Sequence, residues 1–195
     1  MTTRILILQG HPDAGKAHLC HSLADHYRAG AESHGHEVRV VDIATLEFPL
    51  LRSQKAWKED PLPAALQEAQ NAIAWCRHLV LIFPLWLGDM PALVKAFLEQ
   101  VMRPGFAFEY EDGNPMGKKG LTGRTARLVV TMGMPALIYR HLYRAHSVKS
   151  LERNVLGFVG FSPIHETLIG RVESMSERGR AKWFRKMHGL GAEAE

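Results

Sequence analysis

Cysteine is scarce in this chain: two residues in 195, Cys20 and Cys76, both among apolar neighbours. No CxxC pair and no Cys/His cluster at ligand spacing occurs, so a disulfide scaffold and a zinc site are not indicated, no metal is expected, and a reducing, cytoplasmic setting fits. Long apolar runs are missing too. The opening MTTRILILQG stops at a Gly-His-Pro turn, too brief for a signal-peptide core and far below the roughly 18 apolar residues of a membrane span. Neither a targeting segment nor membrane insertion is expected. Acidic charge is not in excess: 24 Lys plus Arg against 20 Asp plus Glu leave +4. The basic residues are dispersed except at Lys118-Lys119 and from Arg171 to Lys186, which is not the single stripe that a nucleic-acid partner requires. Neither GxGxxG nor GxxxxGK[ST] occurs, so the dinucleotide fingerprint and the P-loop are each weakly supported.

What is present is ordinary for a soluble globular protein, with 46% hydrophobic and 23% charged residues. A chain of this length can bury about 70% of its unfolded surface, and one domain spanning 1–195 is expected, with no internal repeat or dividing linker. Ile5 to Leu8 is a continuous apolar run closed by Gly10 and Pro12, the mark of a strand buried on both faces. A helical pattern follows from His18 to His34, with Leu19, Leu23, Ala24 and Tyr27 on one face and Gly35 at the stop position. Glu37 to Ile43 is a second strand, and a long excursion with no clean period follows. Ala64 to Trp75 has helical spacing, and His78 to Phe83 is a third strand that ends at Pro84. A helix leaves near Met90-Pro91 with Leu93, Val94, Phe97, Leu98 and Val101 in phase, Pro91 standing near its first turn. The segment from Arg103 to Gly123 is turn-rich and reads as loop. Ala126 to Thr131 is a fourth strand, Leu137 to Leu156 a helix, Pro163 to Leu168 a fifth strand, and Ser174 to Met187 a final helix with Ser174 as N-cap.

Strands alternating with helices predict an α/β fold, a five-stranded parallel sheet with helices on both faces and strand order 2-1-3-4-5. Ligands of such sheets bind outside the carboxyl ends of the strands, at the switch point between the first and third. The informative loops lie there. GHPDAGKAHLCHSLA couples the first strand to a helix start, where backbone N–H groups favour phosphate and His11 can donate a hydrogen bond. FPLWLGDMPALVKAFLEQV sets the Trp86 indole beside backbone fixed by two prolines. TMGMP offers a glycine for close approach, with Tyr139, His141 and His146 downstream as proton-capable groups.

Together these loops resemble the flavodoxin-like NAD(P)H:quinone oxidoreductases, a family that includes modulator-of-drug-activity proteins and potassium-efflux accessory oxidoreductases. The likeness covers nearly the whole chain. Its most specific part is FPLWLGDMPALVKAFLEQV followed by PGFAFEY, with GHP after the first strand and T-x-G after the fourth in agreement. The resemblance implies a flavodoxin-like fold holding FMN, or FAD as the alternative, with NAD(P)H as hydride donor. His11, His18, Leu19 and Cys20 correspond to the flavin phosphate loop. Pro84, Leu85, Trp86 and Leu87 correspond to a backbone strip along the isoalloxazine edge, and Thr131, Met132 and Gly133 to the pyrimidine side. Tyr139 and His146 match the proton-relay pair, with His141 a competitor because the relay histidine is offset by one position. Phe108 and Tyr110 would project into the substrate site, in the family from the other subunit of a homodimer. The chain departs from the family pattern with His18 in place of serine, TMGM in place of TTGG and Phe108 in place of tyrosine.

What the resemblance implies is a ping-pong oxidoreductase in which one site serves NAD(P)H and then a quinone or similar small molecule. The alternative is a flavin-bearing regulatory subunit of a membrane potassium-efflux system, which the basic stretch near the C-terminus would help to dock. A one-electron carrier is disfavoured by the net positive charge, since such carriers meet their partners through a strongly acidic face.

Overall fold

The structure is a computed structural model and describes the backbone of residues 1–111 and 114–195, with the side chains of all of these but 114–116. The first apolar run forms β1 (Arg4–Gln9), and the chain then enters α1 (Leu19–Ser33) and β2 (Glu37–Asp42). The long excursion contains one short helix, α2 (Gln54–Glu59), whose first turn is capped by Ser53 Oγ accepting from Ala56 N–H at 3.0 Å. After α3 (Gln67–Trp75) come β3 (His78–Pro84) and α4 (Ala92–Val101).

The turn-rich stretch is not all loop: β4 (Phe108–Glu111) and β5 (Asn114–Lys119) pair antiparallel as a separate two-stranded sheet, Phe108 opposite Lys119 and Glu109 opposite Lys118. The Asp112-Gly113 step of that stretch lies outside the described residues. The fourth parallel strand is thus β6 (Arg124–Thr131). The helix expected from Leu137 to Leu156 is broken: α5 (Ala136–His141) ends, Arg144 and Ala145 take positive φ, and α6 (His146–Ser150) restarts. A π-helical turn over Leu151–Leu156 leads into α7 (Gly157–Val159), followed by β7 (Phe161–Ile169) and α8 (Glu177–Glu193). The last helix starts later than expected, because Ser176 rather than Ser174 caps it by accepting from Gly179 N–H at 3.2 Å.

The parallel sheet has the order β2-β1-β3-β6-β7, which is 2-1-3-4-5 among its five strands. β1 is gripped on both sides, Ile5 to Gln9 running in register with Val38 to Asp42 and with His78 to Ile82. Its alternate side chains feed two cores. Leu6 and Leu8 join Leu79, Leu81, Leu128 and Val130 against α3, α4 and the α6–α7 segment; Ile5 and Ile7 join Val80, Ile82 and Val129 against α1 and α8. The two helices on that second face meet closely because each has a glycine at the crossing. A Cβ at Gly30 would overlap the His188 carbonyl oxygen, and one at Gly191 that of Tyr27. This crossing fixes α1, and with it the loop that precedes α1.

His78 begins β3 inside this core, 1% exposed, with Nδ1 at 2.6 Å from Thr125 Oγ1. Burial, reinforced by the nearby Arg127 and His165, pushes its pKa down to about 4. The folded state therefore holds a neutral imidazole that the unfolded chain protonates near pH 6.5, so its contribution to stability is present above that pH and lost as pH falls towards 4. The full loss is up to about 3 kcal/mol. Urea unfolding of wild type and His78→Leu at pH 7.5, 6, 5 and 4.5 should show stability falling with pH more steeply in wild type; parallel profiles would remove His78 as the cause.

Candidate functional site

The carboxyl ends of β1, β3 and β6 carry three loops. The first leaves β1 at Gly10, whose N–H donates to Ile82 O at 2.7 Å. Side-chain acceptors then order the loop: Gln9 Oε1 accepts from His11 N–H at 2.8 Å, His11 Nδ1 from Asp13 N–H at 3.2 Å, and Asp13 Oδ1 from Gly15 N–H at 2.8 Å. The other carboxylate oxygen of Asp13 lies 2.7 Å from His18 Nε2. That contact, with the Gly15 N–H, holds the Asp13 carboxyl below its usual range. At the helix start His21 N–H and Ser22 N–H both donate to His18 O. Leu19 and Cys20 N–H therefore precede the helical ladder, where an anion is the natural partner.

Three imidazoles gather at this point. His11 and His18 stack with ring centroids 3.7 Å apart, and His21 lies 5.8 Å from the first and 5.9 Å from the second. Burial, then the neighbouring His18 and His21, lowers the His11 pKa. Beside them His18, Leu19 and Ser22 share a small cavity of about 290 Å³ with Val172, Arg180 and Phe184. Cys20 turns its side chain inward, Sγ lying 3.3 Å from Thr131 Oγ1, so what it can offer a ligand is its amide.

In the second loop, Leu85 N–H donates to Thr131 O at 2.7 Å, while Trp86 and Asp89 exchange backbone bonds of 2.8 and 2.9 Å across a tight turn. Leu87 and Gly88 sit in that turn at φ +48° and +81°. The amides of Leu85 and Trp86 are thus used within the chain; the turn presents the half-exposed Trp86 ring, edge-on to His11 at 6.2 Å. In the third loop Thr131 and Met132 are buried, Met132 N–H donating to Ile169 O at 2.8 Å, and Gly133 is exposed near Glu173.

The remaining expected site residues lie apart. The Tyr139 ring is 2% exposed and its hydroxyl meets Ser147 Oγ at 2.6 Å, while His146, one residue earlier, is exposed at the start of α6. His141 is exposed at the end of α5. Phe108 is buried against Phe158 and Trp57, at centroid distances of 4.9 and 5.8 Å, and Tyr110 is largely exposed with Lys58 over its ring. Both line a cavity of about 600 Å³ whose walls include Leu98 and Met102 but not His11, Trp86, Thr131 or Gly133. Among the described residues no group of three or more His, Cys, Asp or Glu could hold a metal ion, and none of the helices could cross a membrane.

Sequence reasoning missed His21, Ser147 and Arg180. His21 had a visible signal, since it stands three residues after the N-cap, where a capping-box side chain reaches back. Its Nδ1 accepts from His18 N–H at 3.1 Å. Ser147 and Arg180 had none, because only the break before α6 and the α1–α8 packing bring them in.

Comparison with known proteins agrees with this fold. A family model described as "Flavodoxin-like fold" matches residues 3–189. An FMN-dependent NADH:quinone oxidoreductase of Macrococcus caseolyticus is 25% identical, the match covering 97% of this chain and 98% of that one. A ribosyldihydronicotinamide dehydrogenase-like protein of Penicillium crustosum is also 25% identical, over 94% of this chain and 79% of its own length. Among solved structures, the NAD(P)H:quinone oxidoreductase from Methanothermobacter marburgensis shares the fold with a TM-score of 0.83, at 21% identity and 100% coverage of both chains.

Both cysteines are buried, and burial raises each thiol to about 11. Iodoacetamide at pH 8 should therefore leave native Cys20 and Cys76 unmodified and label both in urea, as read by mass spectrometry; native labelling of Cys20 would contradict its inward placement.

Proposed function

We propose that this chain, which belongs to the flavodoxin-like fold family, is a flavin-dependent NAD(P)H oxidoreductase that makes two-electron reductions of quinones or similar acceptors. The observation that carries the proposal is the meeting, at the carboxyl ends of β1, β3 and β6, of an imidazole-lined helix start, a half-exposed indole and open backbone at Gly133. The activities named for the similar proteins of Macrococcus caseolyticus and Penicillium crustosum support it.

The residues present fit a phosphorylated flavin. Leu19 and Cys20 amides stand ahead of the helical ladder, and Gln9 Nε2 is buried without a partner among the described residues. FMN is the favoured cofactor and FAD the alternative; either flavin, when bound, would supply the hydride chemistry, with NAD(P)H as donor. The chain's own contribution is binding, orientation and proton supply. His11, His18, Leu19 and Cys20 hold the phosphate. The Pro84–Leu87 turn and Thr131, Met132 and Gly133 flank the ring system, and Trp86 keeps water from its edge. Tyr139 and His146 hold a proton for the acceptor oxygen, the Tyr139 hydroxyl being positioned by Ser147 Oγ. One site serves donor and acceptor in turn.

The working form is proposed to be a homodimer. Leu137, Ile138, Leu142 and Tyr143 are exposed on and just after α5, an apolar group that a partner surface would cover. Phe108 and Tyr110, remote from the phosphate loop in their own chain, would then complete the partner's substrate site.

Two measurements test this. NADPH oxidation with a soluble quinone should fall about tenfold or more in the Tyr139→Phe/His146→Ala double variant, with flavin content unchanged; an unaltered rate would remove both residues from the mechanism. Activity that required a membrane partner would favour the regulatory-subunit reading instead. Sedimentation velocity should show a dimer that Leu142→Glu converts to monomer, and a monomeric wild type would refute the shared site.

A further inference from the structure

We infer that His21 is a further cofactor-holding residue, and that the flavin phosphate is met by neutral imidazole N–H groups whose orientation is set by the backbone. This inference rests on the flavin reading given above. In a neutral imidazole one nitrogen donates and the other accepts, and the bond made by one fixes the role of the other. A backbone N–H can only donate. Asp13 N–H on His11 Nδ1 at 3.2 Å therefore leaves the His11 proton on Nε2, and His18 N–H on His21 Nδ1 at 3.1 Å does the same for His21. The chain thus holds two rings in the tautomer that presents Nε2–H at the edge away from the backbone. His18 is held separately, through its contact with Asp13.

A second and independent observation points to a ligand at this place. Gln9 is 3% exposed; its Oε1 accepts from His11 N–H at 2.8 Å, so its carboxamide lies directly under the loop. The Nε2 of that same carboxamide is buried and has no partner among the described residues. Around the start of α1 the donors with no hydrogen-bond partner among the described residues include Nε2 of Gln9, His11 and His21 and the Leu19 and Cys20 amides, with Arg180 lining the adjoining cavity. A donor set of this kind selects a group made only of acceptors, as a phosphate monoester is. Stacking of His11 on His18 at 3.7 Å and the burial of His11 both oppose charging that ring, so donation from the neutral form is the state the geometry favours.

The test compares FMN with riboflavin, which has the same ring system without the phosphate. Titration of the full chain by quenching of flavin fluorescence should show FMN binding weakened about tenfold in His21→Phe, with riboflavin affinity unchanged. His21→Glu can still cap the His18 amide, as an acidic residue at that position of a capping box does, and should weaken FMN further through like charge. Equal loss of both flavins would reduce His21 to a structural cap and overturn the inference, as would FMN affinity left intact in both variants. The unsubstituted protein gives a check that needs no variant to fold. ¹⁵N-histidine NMR at pH 8 should show His11 and His21 protonated at Nε2 and bare at Nδ1, and the opposite tautomer in His21 would contradict the inference. If wild type bound riboflavin and FMN equally, the phosphate role would fail while the flavin reading stood; if it bound neither, both would fail together.

Discussion

The grip of β2 and β3 on β1 is the constraint on which the rest of the structure depends. Ile5, Leu6, Ile7 and Leu8 are fully buried side chains that alternate between the two faces of the sheet, each worth roughly 1.5–3 kcal/mol when removed from water. A shift of one residue would exchange the two sets and turn every side chain to the wrong face. With the register locked, Gln9 ends the strand beneath the loop, Gly10 bonds back to Ile82, and His11 emerges at the switch point beside Trp86. The close crossing at Gly30 and Gly191 then fixes the far side of α1. The helix start is thus held from the strand before it and from the helix packed across it.

The loop built on this frame is dense in hydrogen bonds made by short-range side chains. Gln9, His11, Asp13 and His21 each accept from a backbone N–H within three residues, so the loop keeps its shape without a disulfide, a metal or a glycine-rich fingerprint. That is a different solution from a loop whose amides all point outward. The Leu19 and Cys20 amides precede the ladder, and Nε2 of His11, His21 and Gln9 add to the donors there. The Cys20–Thr131 contact ties the same helix start to the end of β6, so the first and third loops are joined through it.

Much of this was legible in the sequence. Strands buried on both faces read as unbroken apolar runs, and Ile5 to Leu8, His78 to Phe83 and Ala126 to Thr131 all fall within observed strands. The strand order followed from the alternation of strand and helix, and His11, His18 and Trp86 followed from position at carboxyl ends. The β4–β5 pair was not legible because its glycines and prolines read as turns, although Phe106, Phe108 and Tyr110 alternate with the period of a strand. The break at Arg144-Ala145 carries no glycine or proline, so nothing local announces it; it lets α6 restart with Ser147 against Tyr139. The start of α8 was misplaced by two residues because Ser174 and Ser176 are equally good caps, and only the bond to Gly179 decides between them. The contact between Tyr139 and Ser147 depends on that same unannounced break, which is why Ser147 was invisible and His146 and His141 were not distinguishable by pattern.

The most direct test of the account is an anaerobic absorbance titration of the protein reconstituted with FMN, with the retained flavin identified by chromatography and NADPH then added. The account predicts a retained flavin whose visible band bleaches on NADPH addition and returns when a quinone is supplied. Protein that retains neither FMN nor FAD after reconstitution would contradict it.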